Sequence, residues 1–285
     1  MSEPNPIRNV SDTALWVAVY RAMETERSDA LFHDPHARRL AGERGQAIVD
    51  AMPRGKSMSW PMVVRTVVMD EIVMRCVQQG TRTVLNLAAG LDARPYRLIL
   101  PSSLRWLHVD LPEMVDYFRD HMAGETPRCE LEFIAADLRK ADARRALFAE
   151  AASHGPVLVI TEGLLVYLES DEVTALARDL HDIAHARWWL TDLASPMLLK
   201  MLARSWQPKL NEGHAPFRFG PAEGTEFFAP LGWRESEFRS SWDESLRLNR
   251  TMPGAGLWTL LSKLQSQQKR EAGRRMSGIV LMEAT

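Results

Sequence analysis

The sequence predicts an α/β fold built on a doubly wound, mostly parallel, seven-stranded sheet beneath an N-terminal helical cover. Short, almost continuous apolar runs recur from residue 83 onward, and helical stretches separate them. The length of 285 residues is ample for a large buried core. Strands that alternate with helices are typical of a parallel sheet with helices on both faces. We expect one functional unit rather than two independent domains.

The region before residue 83 has a helical pattern throughout. A first helix begins at Ser11 or Asp12, and its apolar residues follow at spacings of three and four. A second helix is expected to begin with Asp34 as its N-cap and a proline in the first helical position. A third covers residues 63–77 and ends before Gly80.

Seven strands and their connecting helices follow in order. The strands are predicted at residues 83–88, 104–109, 131–136, 156–161, 187–191, 234–239 and 277–283. Helices are predicted between them at residues 112–121, 142–152 and 171–186. The stretch 194–230 has scattered Pro and Gly without a clean period, which indicates an inserted lid. Residues 1–82 would then form the helical cover, and residues 83–285 would form the core with its lid.

Composition excludes several classes of protein. The chain has 35 Lys and Arg against 37 Asp and Glu, a net charge of −2, so no broad electrostatic contact with nucleic acid is expected. The longest apolar run, residues 156–168, contains Glu162 and is too short to span a bilayer. Two cysteines cannot form a disulfide framework, and no secretory signal is visible. We expect a cytoplasmic globular protein without membrane or nucleic-acid partners.

The turn after the first strand indicates an adenosine-containing cofactor. The strand runs into small residues and Gly90, which can take a positive φ and lets a ligand approach the backbone. Asp110 ends the second strand, twenty residues beyond Gly90, where a carboxylate can accept hydrogen bonds from both ribose hydroxyls. The alternative is a tight strand-to-helix turn in which Asp110 caps the next helix.

The choice of cofactor depends on what the turn lacks. A dinucleotide site uses three glycines to bring a pyrophosphate onto a helix N-terminus, and only Gly90 is present here. S-adenosylmethionine carries no phosphate and needs groups for its adenine, ammonium and carboxylate. Asp137 and Leu138 follow the third strand, where they can meet the adenine. Glu162 follows the fourth strand in an apolar context, where an ammonium would be a natural partner, although a helix N-terminal charge is the alternative.

These residues make the chain resemble a known family. The segment NLAAGLDARPYRL at residues 86–98 resembles the signature of the leucine carboxyl methyltransferase family, and in particular its bacterial small-molecule and polyketide O-methyltransferase branch. The likeness covers most of the chain. Its other segments lie at residues 11–16, 20–25, 34–35, 65–66, 110–112, 136–138, 162–168, 227–228 and 231–234.

The resemblance implies a Rossmann-like class I methyltransferase that uses S-adenosyl-L-methionine. By that likeness Gly90 lies against the methionine part and Asp110 binds the ribose. Asp137 and Leu138 hold the adenine, and Glu162 sits near the amino-acid tail. Each is carried over from the family's pattern onto the matching position of this chain.

Two arginines of the helical cover complete the implied cofactor site. Arg65 would pair with the cofactor carboxylate, a contact suited to a guanidinium, and Arg21 matches the neighbourhood of a second basic contact. As helix residues, both are also compatible with solvated surface charges. Ala88 and Ala93 stand where many relatives have Gly and Thr, and both keep the position small.

Methyl transfer to a carboxylate needs no general base, whereas a hydroxyl acceptor benefits from one. His214 is the best candidate base, although it has the alternative of an ordinary loop histidine. His181 and His185 are four apart, a metal-pair spacing, but a third ligand is missing, so no metal is expected. Plausible walls of an acceptor pocket, each equally compatible with ordinary core packing, are Trp16, Tyr20, Trp60 and Tyr167.

The leading functional hypothesis is an O-methyltransferase acting on a carboxylate or hydroxyl of a small, largely apolar, polyketide-like metabolite. One alternative is a methyltransferase for the C-terminal carboxylate of a protein, and another is a non-catalytic cofactor-binding protein. The basic pairs at residues 269–270 and 274–275 are compatible with an anionic partner or with a plain basic surface loop.

Overall fold

One seven-stranded sheet organises the molecule. The computed structural model describes residues 11–52, 55–202, 216–252, 254–256 and 265–285. The strands are β1 (Thr83–Leu87), β2 (Arg105–Asp110), β3 (Glu130–Ala135), β4 (Val157–Thr161), β5 (Ala186–Ala194), β6 (Trp233–Ser240) and β7 (Ser277–Ala284). Their order across the sheet is β3-β2-β1-β4-β5-β7-β6. Strands β1 to β5 pair in parallel, and β7 runs antiparallel to both β5 and β6.

The strand order reverses between β1 and β4, and this position predicts where a ligand binds. In open α/β sheets a crevice forms outside the carboxyl ends of the strands at such a switch point. Because β7 is antiparallel, its first residues lie at that same edge: Ser277 pairs with Ala194 at the end of β5. Gly278 in turn pairs with Ser240 at the end of β6.

Helices cover both faces of the sheet. They are α1 (Asp12–Thr25), α2 (Ala37–Ala51), α3 (Trp60–Gln78), α4 (Arg94–Arg97), α5 (Pro112–His121), α6 (Ala141–Ala152), α7 (Ser170–Asp182), α8 (Ser241–Arg247) and α9 (Gln267–Arg274). Short 3₁₀ turns occupy Gly55–Met58, Leu165–Tyr167 and Gly224–Leu231. Within the described ranges, no helix has both the length and the apolar character needed to cross a lipid bilayer.

Alternating residues of the strands supply two separate cores. Leu85 belongs to a cluster with Phe148 and Leu176, so that face of β1 packs against α6 and α7. Its neighbour Val84 belongs to a cluster with Ile72, so the opposite face packs against α3. All five residues of β1 are buried, as its continuous apolar run predicts. Each fully buried Leu or Ile contributes roughly 1.5–3 kcal/mol, so the central strand is held firmly in place.

The predicted strands and the helix at residues 112–121 are confirmed, with boundaries that shift by up to three residues. The third helix begins at Trp60 rather than residue 63. The helix before β5 ends at Asp182 instead of residue 186, because His185 takes a φ of 45° and Ala186 already belongs to the strand.

The predicted start of α1 is confirmed, and that of α2 is wrong. Ser11 is the N-cap residue of α1, although its side chain makes no capping hydrogen bond. Helix α2 begins at Ala37, two residues later than expected, and Asp34 does not cap it. The Asp34 carboxylate accepts hydrogen bonds from the His36 N–H at 3.2 Å and from Arg21 Nε at 2.9 Å, so it combines a local turn ahead of the helix with a long-range ion pair. The predicted lid includes residues 203–215, which lie outside the described residues.

Candidate functional site

A large cavity lies over the carboxyl edge of the sheet. Its volume is about 1840 Å³, and it is bordered by strand ends and by residues of α1 and α3. A pocket for one drug-sized ligand typically has about 300–1,000 Å³, so this cavity has room for two molecules. All seven residues predicted to bind a cofactor line it: Arg21, Arg65, Gly90, Asp110, Asp137, Leu138 and Glu162.

The turn after β1 is built around Gly90. Its φ is 53°, a left-handed conformation that glycine adopts without strain. The Gly90 N–H donates to Asp110 Oδ2 at 2.7 Å, and the Leu111 N–H donates to Asp110 Oδ1 at 2.7 Å. Burial raises the pKa of Asp110. Each carboxylate oxygen keeps a further lone pair, so Asp110 can accept two hydrogen bonds from neighbouring ligand hydroxyls.

A second polar position lies at the end of β3. Asp137 Oδ1 accepts a hydrogen bond from Arg139 Nε at 3.0 Å, and this contact lowers the pKa of Asp137. The Leu138 carbonyl accepts a hydrogen bond from Arg144 Nη1 at 2.8 Å. Because Asp137 is ionised and only partly exposed, it offers an acceptor for an amino group on a flat heterocycle.

Glu162, at the end of β4, is held by two arginines rather than standing alone. Arg94 Nη1 donates to Glu162 Oε2 at 2.7 Å, and Arg65 Nε lies 3.0 Å from Glu162 Oε1. The Arg65 contact is ionic rather than a well-directed hydrogen bond, since its Nε has no geometrically acceptable acceptor. Although burial opposes ionisation, these two cations hold the pKa of Glu162 well below its ordinary value. The carboxylate is therefore charged at neutral pH.

Arg94 is the centre of this cluster, and its side chain is 2% exposed. Its Nη1 also donates to Asp92 Oδ2 at 2.8 Å, and its Nε donates to Asp70 Oδ1 at 2.7 Å. Arg97 binds the same Asp70 carboxylate with both of its terminal nitrogens. The guanidinium of Arg94 thus joins α3, the β1 turn and the end of β4.

Asp192, at the end of β5, supports the cluster from the other side. Its Oδ2 lies 3.1 Å from Arg65 Nη1, and its Oδ1 accepts a hydrogen bond from the Gly163 N–H at 2.6 Å. Three guanidiniums thus meet four carboxylates, which leaves one negative charge in excess. The charged members are Arg65, Arg94, Arg97, Asp70, Asp92, Glu162 and Asp192.

Sequence reasoning missed five members of this cluster: Asp70, Asp92, Arg94, Arg97 and Asp192. Asp192 carried a usable signal, because it is an acidic residue near a strand end, as are Asp110 and Asp137. Asp70 carried a weaker one, as a carboxylate on an otherwise apolar helix face.

Two guanidinium nitrogens of Arg21 are engaged within the protein. Besides its bond to Asp34, its Nη2 donates to the Leu91 carbonyl at 2.5 Å, so it fixes α1 against the β1 turn. Its side chain still borders the cavity. Direct cofactor binding by Arg21 stays a prediction, and bracing of the turn is the role its contacts show.

The four predicted wall residues, Trp16, Tyr20, Trp60 and Tyr167, all line the cavity. Tyr20 donates its hydroxyl to the Gly55 carbonyl at 2.8 Å. Burial raises the pKa values of Tyr20 and Tyr167 to about 12, so neither phenol is a base at neutral pH. Trp60 Nε1 is buried without a hydrogen-bond partner in the described structure.

The predictions for the histidines concern a catalytic base and a metal site. His214, the candidate base, lies outside the described residues. His181 contacts Asp182 instead of forming a metal pair, and no cluster suited to a metal ion occurs in the part of the chain that the structure describes. His108 is buried beneath the turn, where burial lowers its pKa to about 4. Its Nε2 lies 3.2 Å from the Gly90 carbonyl, so it supports the turn from below.

The cavity continues beyond β4 into a second region, here called the outer compartment. It is lined by Met197, Met201, Trp242, Met252, Met276 and Ile279 from the segment after β5, α8, β7 and the loops beside them. Methionine and aromatic side chains give it an apolar, adaptable wall. A polar end with excess negative charge and an apolar end therefore share one cavity.

Comparison with known proteins agrees with this arrangement. The model of the leucine carboxyl methyltransferase family matches residues 14–181, more than half of the chain. A protein of Parafrankia, provisionally named an S-adenosyl-L-methionine-dependent methyltransferase, is 36% identical over 60% of this chain and 58% of its own length. A similarly named protein of Streptomyces coelicolor is 36% identical over 58% of this chain and 62% of its own. The match thus spans about three fifths of these relatives.

Solved structures show the same fold at low sequence identity. A DUF574-family protein from Streptomyces avermitilis has a TM-score of 0.58 and 14% identity, over 96% of this chain and 97% of its own. A protein from Thermobifida fusca, described provisionally as a methyltransferase, has a TM-score of 0.56 and 15% identity, over 98% and 96%. The fold is the Rossmann-like class I methyltransferase fold. On its sequence match, the chain belongs to the leucine carboxyl methyltransferase family.

Proposed function

We propose that this protein is an S-adenosyl-L-methionine-dependent O-methyltransferase acting on a carboxylate or hydroxyl of a small, largely apolar, polyketide-like metabolite. The observation that carries the proposal is the single cavity that joins a carboxylate-rich end, at the β1–β4 strand ends, to an apolar outer compartment. The named relatives support the cofactor, since both are described as methyltransferases dependent on S-adenosyl-L-methionine.

The residues present suit this cofactor in charge. S-adenosylmethionine carries a sulfonium and an ammonium against one carboxylate, a net charge of +1, and the cluster around Arg94 has one negative charge in excess. Asp110 suits a ribose because both of its oxygens keep a free lone pair. Arg65 lines the cavity beside Glu162, and its guanidinium suits the cofactor carboxylate.

The same residues disfavour a dinucleotide. A pyrophosphate needs hydrogen-bond donors and positive charge at the turn after β1. Here the turn presents a single glycine, Gly90, and the carboxylate of Glu162 faces the same cavity. Its negative charge would repel phosphate groups.

Methyl transfer depends more on aligning the acceptor oxygen with the methyl group of the cofactor than on general acid–base catalysis. When bound, the cofactor supplies an electrophilic methyl group on sulfur. Glu162, held ionised by Arg65 and Arg94, would bind the ammonium and fix the amino-acid tail. Trp16 and Tyr167 line the cavity, and their rings would exclude water from the space next to the bound tail, which would raise the reactivity of an oxygen nucleophile. An acceptor carboxylate is ionised at neutral pH and needs no base.

Incubation with labelled S-adenosylmethionine and metabolite mixtures tests the proposal, with mass spectrometry to detect the labelled methyl group. We expect transfer to apolar small molecules, and lability of the product to mild alkali would distinguish a methyl ester from an ether. Transfer only to added proteins would favour the protein-carboxylate alternative. Binding of the cofactor without transfer to any acceptor would favour a non-catalytic role.

A further inference from the structure

The outer compartment differs in charge from the carboxylate-rich end of the cavity. Two cations of α9, Lys269 and Arg270, border it, and their side chains are exposed. Neither side chain has an ion-pair or hydrogen-bond partner in the described parts of the chain. Two positive charges are therefore left uncompensated at this end.

The neighbouring charges of α8 and α9 compensate one another. Arg274 Nε binds Asp243 Oδ2 at 2.6 Å, and both residues also border the cavity. Glu271 lies on the same helix as Lys269 but faces Arg274 and Arg275, 4.0 and 3.7 Å away. The cavity thus has excess negative charge near Glu162 and excess positive charge near α9.

An apolar wall separates the two charged ends of the cavity. Met197 and Met201 form part of this wall, and they are 54% and 53% exposed, which is unusually high for large apolar side chains. Helix α9 leads directly into strand β7, and β7 lies two strands from β4 in the sheet. At roughly 4.8 Å per strand spacing, that is about 10 Å from Glu162 to the edge of β7. A ligand that reaches α9 from the methyl-transfer position must therefore have an extended apolar body.

We propose that the methyl acceptor is an apolar molecule with an anionic group at the end remote from the methylated oxygen, and that Lys269 and Arg270 bind that group while the methionine wall covers the body. This inference rests on the proposed function and specifies its substrate class. Charge complementarity is the argument for the anion, and the exposed methionines are the argument for the apolar body.

Calorimetric titration with decyl phosphate and 1-decanol tests the proposal, with both probes below their aggregation concentrations and S-adenosylhomocysteine present. The variant is Lys269→Ala/Arg270→Ala, and the matched control is Arg82→Ala/Arg178→Ala, which removes two exposed cations that do not border this cavity. Two exposed charge contacts predict a loss of decyl phosphate affinity of about two- to thirtyfold in the variant, at about 0.2–1 kcal/mol each. Affinity for 1-decanol should stay unchanged, and the control should match the wild type.

The variant Met201→Glu tests whether the decyl chain of each probe lies against the methionine wall, the surface formed by Met197 and Met201. It should weaken binding of both probes, because it puts a charge into that wall. Inorganic phosphate alone should bind far more weakly than decyl phosphate. Equal losses in the control, equal losses for 1-decanol, or equal affinity for inorganic phosphate would each overturn the inference. Failure of S-adenosylhomocysteine itself to bind would instead overturn the proposed function, so the two failures are distinguishable.

Discussion

Arg94→Ala is predicted to be strongly destabilising, because the buried guanidinium of Arg94 forms ion pairs with three carboxylates. Its contacts with Asp70, Asp92 and Glu162 are 2.7, 2.8 and 2.7 Å long, and its side chain is 2% exposed. Removing one partner of such a buried ionic cluster costs about 3–5 kcal/mol, since the remaining charges are left uncompensated. For a chain of this size, at roughly 2 °C per kcal/mol, the melting temperature should fall by about 6–10 °C.

The pH dependence of this loss tests the electrostatic cause. The pKa of Glu162 is lowered from its ordinary 4.5 in the folded protein, so its ionisation stabilises the fold above about pH 4.5, and that stabilisation disappears as the pH falls toward the folded value. Without Arg94 the carboxylate gains less from ionisation, so the difference between variant and wild type should shrink below pH 4.5. Differential scanning calorimetry from pH 3.5 to 7 measures both quantities, with Arg178→Ala as an exposed control. A variant within 2 °C of the wild type at pH 7, or a difference that stays constant in acid, would refute the reasoning.

Two further predictions concern the turn. The pKa of buried His108 is lowered from 6.5 to about 4, so folding favours the neutral ring and the free energy of unfolding should fall by roughly 3 kcal/mol between pH 6.5 and 4. His108→Gln should remove this fall in urea titrations while exposed His154→Gln keeps it; an unchanged slope in the first variant would contradict the account. Gly90→Ala places a Cβ 3.1 Å from Ala14 Cβ at a φ of 53°, so denaturant unfolding should show a loss of about 1–3 kcal/mol. Gly124→Ala, at a φ of 86° with open space around it, should lose only about 1 kcal/mol, and equal losses would exclude a steric contribution.

The sheet could be predicted from the sequence because its central strands are buried on both faces. Such strands need apolar residues at every position, and the resulting runs are visible without any tertiary information. The candidate site was visible for a related reason. Gly90 and Asp110 are placed by local strand-to-helix connections, so their sequence positions translate directly into positions at one sheet edge.

The cluster around Arg94 could not be predicted in the same way. Arg94 is 24 residues from Asp70 and 68 from Glu162, so their contact depends on how α3 and β4 are placed around β1. The same limit explains the wrong cap at Asp34. The local motif predicted backbone contacts alone for this carboxylate. Its Oδ1 does accept the His36 N–H, but its Oδ2 pairs with the distant Arg21, whose guanidinium needs compensation where it is buried.

The most direct test of the central claim is calorimetric titration of S-adenosylmethionine into the wild-type protein and into Asp110→Ala. The account predicts saturable binding at one site, and a loss of at least about 100-fold in the variant because two hydrogen bonds from ligand hydroxyls to a charged acceptor disappear. A melting curve of the variant without ligand checks that the fold persists. No binding to the wild type, or equal affinity in a folded variant, would contradict the claim that this edge of the sheet is an S-adenosylmethionine site.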